Sequence, residues 1–163
     1  MKTIRADRRW PFRTRQAEGG FTLAELVMVI AVIGILSLMA IPAFLSYYQA
    51  ATLKSGSQQV VTLVNQAREL AIKQNDNVCV KLPSATQMLY ALGSCTGSAW
   101  VSAGTDAVGN IKLPTGITMT ASTNPIFNYV GSALPAATYT LTNTQTGATL
   151  TVSVAASGRI TIP

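Results

Sequence analysis

The stretch "EGGFTLAELVMVIAVIGILSLMAIPAF", residues 18–44, is apolar from Phe21 onward except for Thr22, Ser37 and one carboxylate, Glu25. From Phe21 to Leu45 there are 25 residues with a single charge. At 1.5 Å of rise per residue a helix of that length reaches about 37 Å, against a hydrocarbon core of about 30 Å, so the segment can span a bilayer. Lys2, Arg5, Arg8, Arg9, Arg13 and Arg15 precede it, opposed only by Asp7 and Glu18. That cationic flank predicts an N-terminal side held in the cytoplasm and an exported C-terminal side. Two features need a cause: Glu25 inside an apolar run, and the Gly19-Gly20 pair directly before it.

Two simple readings fail on Glu25. A secretory signal peptide has a basic start and an apolar core, but that core is usually 7 to 15 residues long. A plain signal anchor accounts for the length and orientation, yet a charge inside a membrane helix costs about 2.5 to 3.5 kcal/mol on insertion scales. A third reading accounts for both features. Cleavage after Gly20 would make Phe21 a new N-terminus, and the amine of a neighbouring copy or partner subunit would neutralise the buried carboxylate. Glu25 then sets the stagger between packed helices, and the glycine pair marks a processing site.

The stretch "GGFTLAELVMVIAVIGILSLMAIPAF" closely resembles the N-terminal segment of type IV prepilins and type II secretion pseudopilins. The shared pattern is a glycine, then Phe-Thr-Leu, then a glutamate four positions after the Phe. The resemblance implies that a prepilin peptidase cuts after Gly20 and methylates the amine of Phe21. It implies that Phe21 and Glu25 act in assembly, and it places Pro42 where relatives carry a helix-distorting proline. The leader, residues 1–20, is longer than many in that family.

Pro42 has no N–H for the Leu38 carbonyl and its ring crowds that turn, so the helix bends or loosens there, or ends. The sequence beyond it favours resumption. Leu53, Val60, Val64, Ala67 and Ala71, flanked by Val61, Leu63 and Leu70, keep spacings of three, four and seven. Ser55-Gly56-Ser57 weakens the middle without stopping it. One long helix is expected from about Phe21 to about Gln74, a membrane and assembly segment over 21–48 and an amphipathic half over 49–74.

Asn75-Asp76-Asn77 closes the helix, and the period then changes from helical to alternating. Val78 to Leu82, Met88 to Leu92, Ile111 to Leu113, Ile117 to Met119, Ile126 to Tyr129, Tyr139 with Leu141, Leu150 to Val154 and Ile160 to Ile162 read as short strands between Gly, Pro and Asn turns. The fold class is α+β: a long N-terminal helix packed on a small antiparallel β-sheet domain, residues 75–163. Trp100, Tyr90, Phe127 and Tyr139 are scattered, which suits core or interface packing better than a binding platform. Cys79 and Cys95 form an even pair in a Ser/Thr/Ala-rich region, which fits a disulfide in an oxidising compartment; two buried thiols are the alternative.

"IKLPTGI", then "PIFNYVG", then "TLTVSVAASGRITIP" resemble the C-terminal domain of the GspH/FimT group of minor pseudopilins and minor pilins. This second resemblance covers about fifty residues and implies a low-copy assembly subunit.

Enzyme chemistry has little to work with. The chain has no His, so a serine triad or Cys-His pair cannot take its usual form. No Walker loop, dinucleotide glycine pattern or C-x-x-C is present. Glu69, Asp76 and Asp106 are too dispersed for paired acid-base work, and Asp106 in "GTDAVGN" reads as a turn residue before a calcium ligand. No catalytic residue, cofactor or metal is expected. Three functions stay open. The first is a minor pilin or pseudopilin, held in the bacterial inner membrane and then in a type IV pilus or type II secretion pseudopilus, with other pilins and the prepilin peptidase as partners. The second is a FimT-like DNA-uptake pilin, for which Arg159 is the candidate contact; a nucleic-acid site ordinarily needs a basic cluster, and Arg159 stands alone in "SGRITIP" while six of the twelve cations lie before Phe21. The third is a monomeric membrane-anchored binding domain, which leaves Glu25 without a role.

Overall fold

The computed structural model describes residues 20–163. The leader expected over residues 1–20 therefore lies, up to Gly19, outside the described residues. The first helix, α1, runs Leu23–Gln74, and nine strands follow. The chain divides into two compact units, one ending at Ile41 and the other spanning Pro42–Pro163.

In the first unit α1 begins two residues after Phe21, because Thr22 caps it. Its Oγ1 accepts the Glu25 N–H at 3.2 Å and its carbonyl accepts the Leu26 N–H at 3.1 Å. Thr22-Leu23-Ala24-Glu25 is thus a capping-box sequence, with a carboxylate in the first turn where the helix dipole favours one. Every side chain from Phe21 to Ile41 is exposed. Ser37 returns its hydroxyl to the Ile33 carbonyl at 2.8 Å, so the apolar run shows no unspent hydroxyl there.

In the second unit the helix continues from Pro42 without a break in assignment. Its buried stripe is Leu53, Gly56, Ser57, Val60, Leu63, Val64, Ala67 and Ala71, which includes every position of the expected apolar row. Gly56 and Ser57 belong to that stripe rather than weakening it. A Cβ on Gly56 would stand 3.4 Å from Ile117 Cγ1 and 3.6 Å from Leu141 Cδ2, so the absent side chain is what lets sheet and helix approach. The Ser57 hydroxyl is satisfied by the Lys54 carbonyl at 2.7 Å. The helix ends in a Schellman arrangement: Asn75 takes a positive φ of 52°, its N–H bonds to the Ile72 carbonyl, and Asp76 N–H bonds to the Ala71 carbonyl.

The strands are β1 (Val78–Ser84), β2 (Gln87–Leu92), β3 (Asn110–Lys112), β4 (Ile117–Ala121), β5 (Ile126–Phe127), β6 (Ala133–Leu134), β7 (Ala137–Asn143), β8 (Thr149–Val154) and β9 (Ile160–Thr161). All pair antiparallel, as expected, and they do so in two sheets: β3-β2-β1-β5-β6 and β4-β7-β8-β9. The division falls at Pro114, where Leu113 N–H still bonds to Thr86, while Met119 N–H bonds to Ala85 across the gap. Strand β6 was not expected, since Ala133-Leu134 is too short to show alternation. Strand β5 stops at Phe127, short of Tyr129, because Asn128 opens a turn.

Both sheets send their inward side chains to α1. Val78, Val80, Met88 and Phe127 come from the first, and Ile117, Met119, Tyr139, Leu141, Val152 and Val154 from the second, all essentially inaccessible to water. Burying a side chain of this size is worth about 1.5–3 kcal/mol, so this shared core dominates the stability of the second unit. Trp100 packs at its edge, and Tyr90 and Tyr139 lie within it. Cys79 and Cys95 are bonded, with their Cα atoms 5.0 Å apart, which removes the two-thiol alternative. The bridge fastens the loop after β2 to β1.

Candidate assembly site

Gly20 and Phe21 lie in non-helical, exposed backbone immediately before the cap at Thr22, and nothing comes within 4 Å of the Gly20 Cβ position. The peptide bond between them is exposed and lies outside the helix. Phe21 is 82 % exposed, and the exposed apolar run beyond it includes Leu26, Ile30, Ile33 and Leu36. Among the described residues one helix, α1, is long and apolar enough to cross a membrane. Glu25 is exposed within that run, and among the described residues its side chain has no cation beside it, the ion pair there being Lys73–Glu69 at 3.6 Å. The local account of Glu25 is the first-turn position opposite the Thr22 cap; this signal was readable in Thr-x-x-Glu but does not remove the need for a counter-charge in lipid.

Pro42 stands inside α1, preceded and followed by helix. Asp106 serves its own loop. Its Oδ1 accepts N–H groups from Val108 at 2.9 Å and Asn110 at 2.8 Å, and Oδ2 accepts Asn110 Nδ2 at 3.0 Å. The Asn110 backbone and side-chain donors, and then Val108, hold the Asp106 carboxyl below the usual carboxylate range. Burial pushes the Tyr90 and Tyr139 phenols above their ordinary range, and for Tyr139 the nearby Tyr90 adds to the effect. Tyr90 donates to the Leu63 carbonyl at 2.7 Å, whereas the buried Tyr139 hydroxyl has no partner among the described residues.

Arg159 is exposed in the β8–β9 connection, directly before β9, where its carbonyl accepts the Ala155 N–H at 2.9 Å. The structure adds a residue that the sequence did not associate with it. Arg68 of α1 reaches the same corner: a Cβ on Gly131 would lie 2.8 Å from Arg68 Nε, and one on Gly158 would lie 3.2 Å from it and run into the Gly131 carbonyl. Gly131 and Gly158 both hold positive φ, at 88° and 78°. These are the glycines that close "PIFNYVG" and open "GRITIP", so both turns are glycine because each needs the left-handed region and neither has room for a side chain.

An exposed apolar helix with a first-turn carboxylate, continuing into a helix covered by antiparallel sheets, defines a pilin-like membrane and assembly subunit. Residues 56–158 match the family described as Type II transport protein GspH, and residues 15–41 match the Prokaryotic N-terminal methylation motif. The chain belongs to the GspH family. Its fold is similar to that of the type IV minor pilin FimU of Pseudomonas aeruginosa, at 14 % identity and TM-score 0.53, over 72 % of this chain and 92 % of that one. It is also similar to the minor pseudopilin EpsH from the Type 2 Secretion System of Vibrio cholerae, at 10 % identity and TM-score 0.53, over 68 % and 95 % of the two chains. A fimbrial protein of Pseudomonas aeruginosa is 33 % identical over 78 residues, 48 % of this chain and 49 % of that protein. The chain thus spans about half the length of the curated relatives it matches. Family and fold are those of structural pilins and pseudopilins, not of an enzyme.

Proposed function

We propose that this chain is a minor pilin or pseudopilin that enters the inner membrane once, with residues 75–163 exported, and is then packed through residues 21–48 into a type IV pilus or secretion pseudopilus. The leader 1–20 is removed by a prepilin peptidase at the Gly20–Phe21 bond and the Phe21 amine is methylated. The observation that carries this reading is Glu25: a carboxylate with no cation beside it among the described residues, set among exposed apolar side chains, four residues beyond an exposed, non-helical Gly-Phe bond. In lipid such a group is tolerable only when paired, and the processed amine of an adjacent subunit supplies the charge at the matching depth. Pro42 gives the helix a place to yield as subunits pack, and residues 49–74 tie the assembly segment to its folded head.

The direct test is mass spectrometry of the membrane fraction. The expected species starts at Phe21 and carries one added methyl group; a chain still bearing Met1 in peptidase-competent cells refutes the processing. Glu25→Gln is expected to leave processing intact and to abolish incorporation into filaments, and undiminished incorporation would remove the pairing.

A further inference from the structure

The corner where the β5–β6 hairpin meets the β8–β9 turn holds a guanidinium that nothing among the described residues neutralises. Arg68 lies half-buried against Gly131 and Gly158, its Nε is buried without an acceptor, and among the described residues it makes no hydrogen bond or ion pair. The acids available in Pro42–Pro163 are Glu69, Asp76 and Asp106. Glu69 pairs with Lys73, Asp76 Oδ1 accepts the Asn77 N–H, and Asp106 holds its own loop. A second cation, Arg159, is exposed directly after Gly158.

The same corner carries large apolar side chains in water. Tyr129 is 58 % exposed, Val130 65 % and Ile72 47 %, and a Cβ on Gly131 would lie 3.2 Å from Ile72 Cδ1. The hairpin tip is held rigidly. Asn128 Oδ1 accepts N–H groups from Val130 at 3.1 Å and Ser132 at 2.9 Å, Gly131 N–H bonds to the Asn128 carbonyl, and Ala133 N–H bonds to Ala156 in the opposite turn. A preordered tip has little entropy left to lose on binding, and Tyr and Arg are the side chains that anchor protein interfaces.

We propose that this corner docks a neighbouring subunit of the assembly, which presents a carboxylate beside an apolar side chain. This rests on the reading of the chain as an assembly subunit. The carboxylate meets the terminal nitrogens of Arg68, since Nε is occupied by its packing on Gly131, and Arg159 lends a second positive charge. The apolar neighbour covers Val130, Tyr129 and Ile72. Charge complementarity selects the partner, because a cation half removed from water and lacking a counter-ion among the described residues gains most from an external one. Two cations flanked by apolar side chains do not form the basic stripe that a phosphate backbone requires, so a protein fits this corner better than a nucleic acid.

The test uses the full chain in cells that assemble the filament. A photo-crosslinking residue, p-benzoylphenylalanine, is placed at Val130 in one strain and at Leu36, in the apolar run of α1, in another. Adducts with filament subunits from both positions are expected, with the Val130 adduct mapping to a peptide that contains Asp or Glu. Arg68→Gln is expected to lower the Val130 adduct at least about fivefold, equivalent to about 1 kcal/mol, while leaving the Leu36 adduct unchanged. Arg68→Glu combined with the partner's acid changed to Arg restores it. Adducts from Leu36 without any from Val130 overturn the docking proposal and leave the assembly reading standing, whereas no adduct from either position overturns both. A Val130 adduct that is nuclease-sensitive, maps to a stretch without acids, or is indifferent to Arg68→Gln also overturns the docking proposal. Retention of the Cys79–Cys95 bridge and of the far-ultraviolet spectrum confirms that each variant is folded.

Discussion

Substituting alanine at Gly158 tests the corner that Arg68 occupies, and Gly147 supplies an internal control. Both glycines hold positive φ, 78° and 69°, in hairpin turns, so both alanine variants carry the left-handed penalty of about 1–2 kcal/mol. The two sites differ in what surrounds the new methyl. Nothing lies within 4 Å of a Cβ at Gly147, whereas at Gly158 it meets the Gly131 carbonyl and then Arg68 Nε. Backbone cannot rotate away as a side chain does, and overpacking of this kind costs a further 1–3 kcal/mol, roughly. Gly147→Ala is therefore expected to cost about 1–2 kcal/mol and Gly158→Ala about 3–4. A gap of about 2 kcal/mol is a change of about thirtyfold in the folded-to-unfolded ratio. The assay is urea unfolding of the full chain in detergent, followed by tyrosine and tryptophan signals of the folded head, with both variants at matched detergent. Equal losses at the two positions would refute the close approach of the two turns, and a larger loss at Gly147 would reverse its logic.

Three further outcomes follow from the core and its staples. Tyr139→Phe, which deletes a buried hydroxyl without a partner among the described residues, is expected to be neutral or stabilising by up to about 1 kcal/mol, whereas Tyr90→Phe removes a hydrogen bond to the Leu63 carbonyl and costs about 0.5–1.5 kcal/mol; the same urea assay reads both. Replacing Cys79 and Cys95 together by Ala opens a cross-link between residues 16 apart and is expected to cost about 3 kcal/mol, seen as an unfolding midpoint that reductant no longer shifts. Because its folded carboxyl titrates below the ordinary range, Asp106 contributes stability that is present at neutral pH and is lost as pH falls below about 4 through the folded value. The stability gap between the unaltered chain and Asp106→Asn should therefore narrow on acidification, and a gap that widens contradicts the assigned hydrogen bonds.

Much of this protein is local in origin, and the local part was legible in the residue order. The apolar run from Phe21, the lone Glu25 and the Gly20–Phe21 junction are contiguous features whose chemistry depends on lipid rather than on distant side chains. The stripe Leu53, Val60, Val64, Ala67 and Ala71 repeats at the helical period because one face of α1 is covered, and most strands alternate because one face of each sheet is covered. Cys79 and Cys95 could be paired by count and setting, though only geometry showed the bond.

What escaped the sequence depends on residues far apart in the chain. Alternation tells which side of a strand is buried, not which neighbour it hydrogen-bonds, so the split into two sheets at Pro114 and the two-residue β6 had to come from tertiary pairing. Gly56 read as a weak point because helix propensity is a property of the helix alone, while its use is set by Ile117 and Leu141, sixty and more residues away. Arg68 meets Gly158, and so the turn that carries Arg159, only because two glycine turns let α1 approach the loops between β5 and β6 and between β8 and β9. Short-range patterning along the chain marks out the apolar run and its lone Glu25; long-range packing decides which corner of the folded head holds a cation unmatched among the described residues, because only tertiary contacts bring Arg68 to two distant glycine turns.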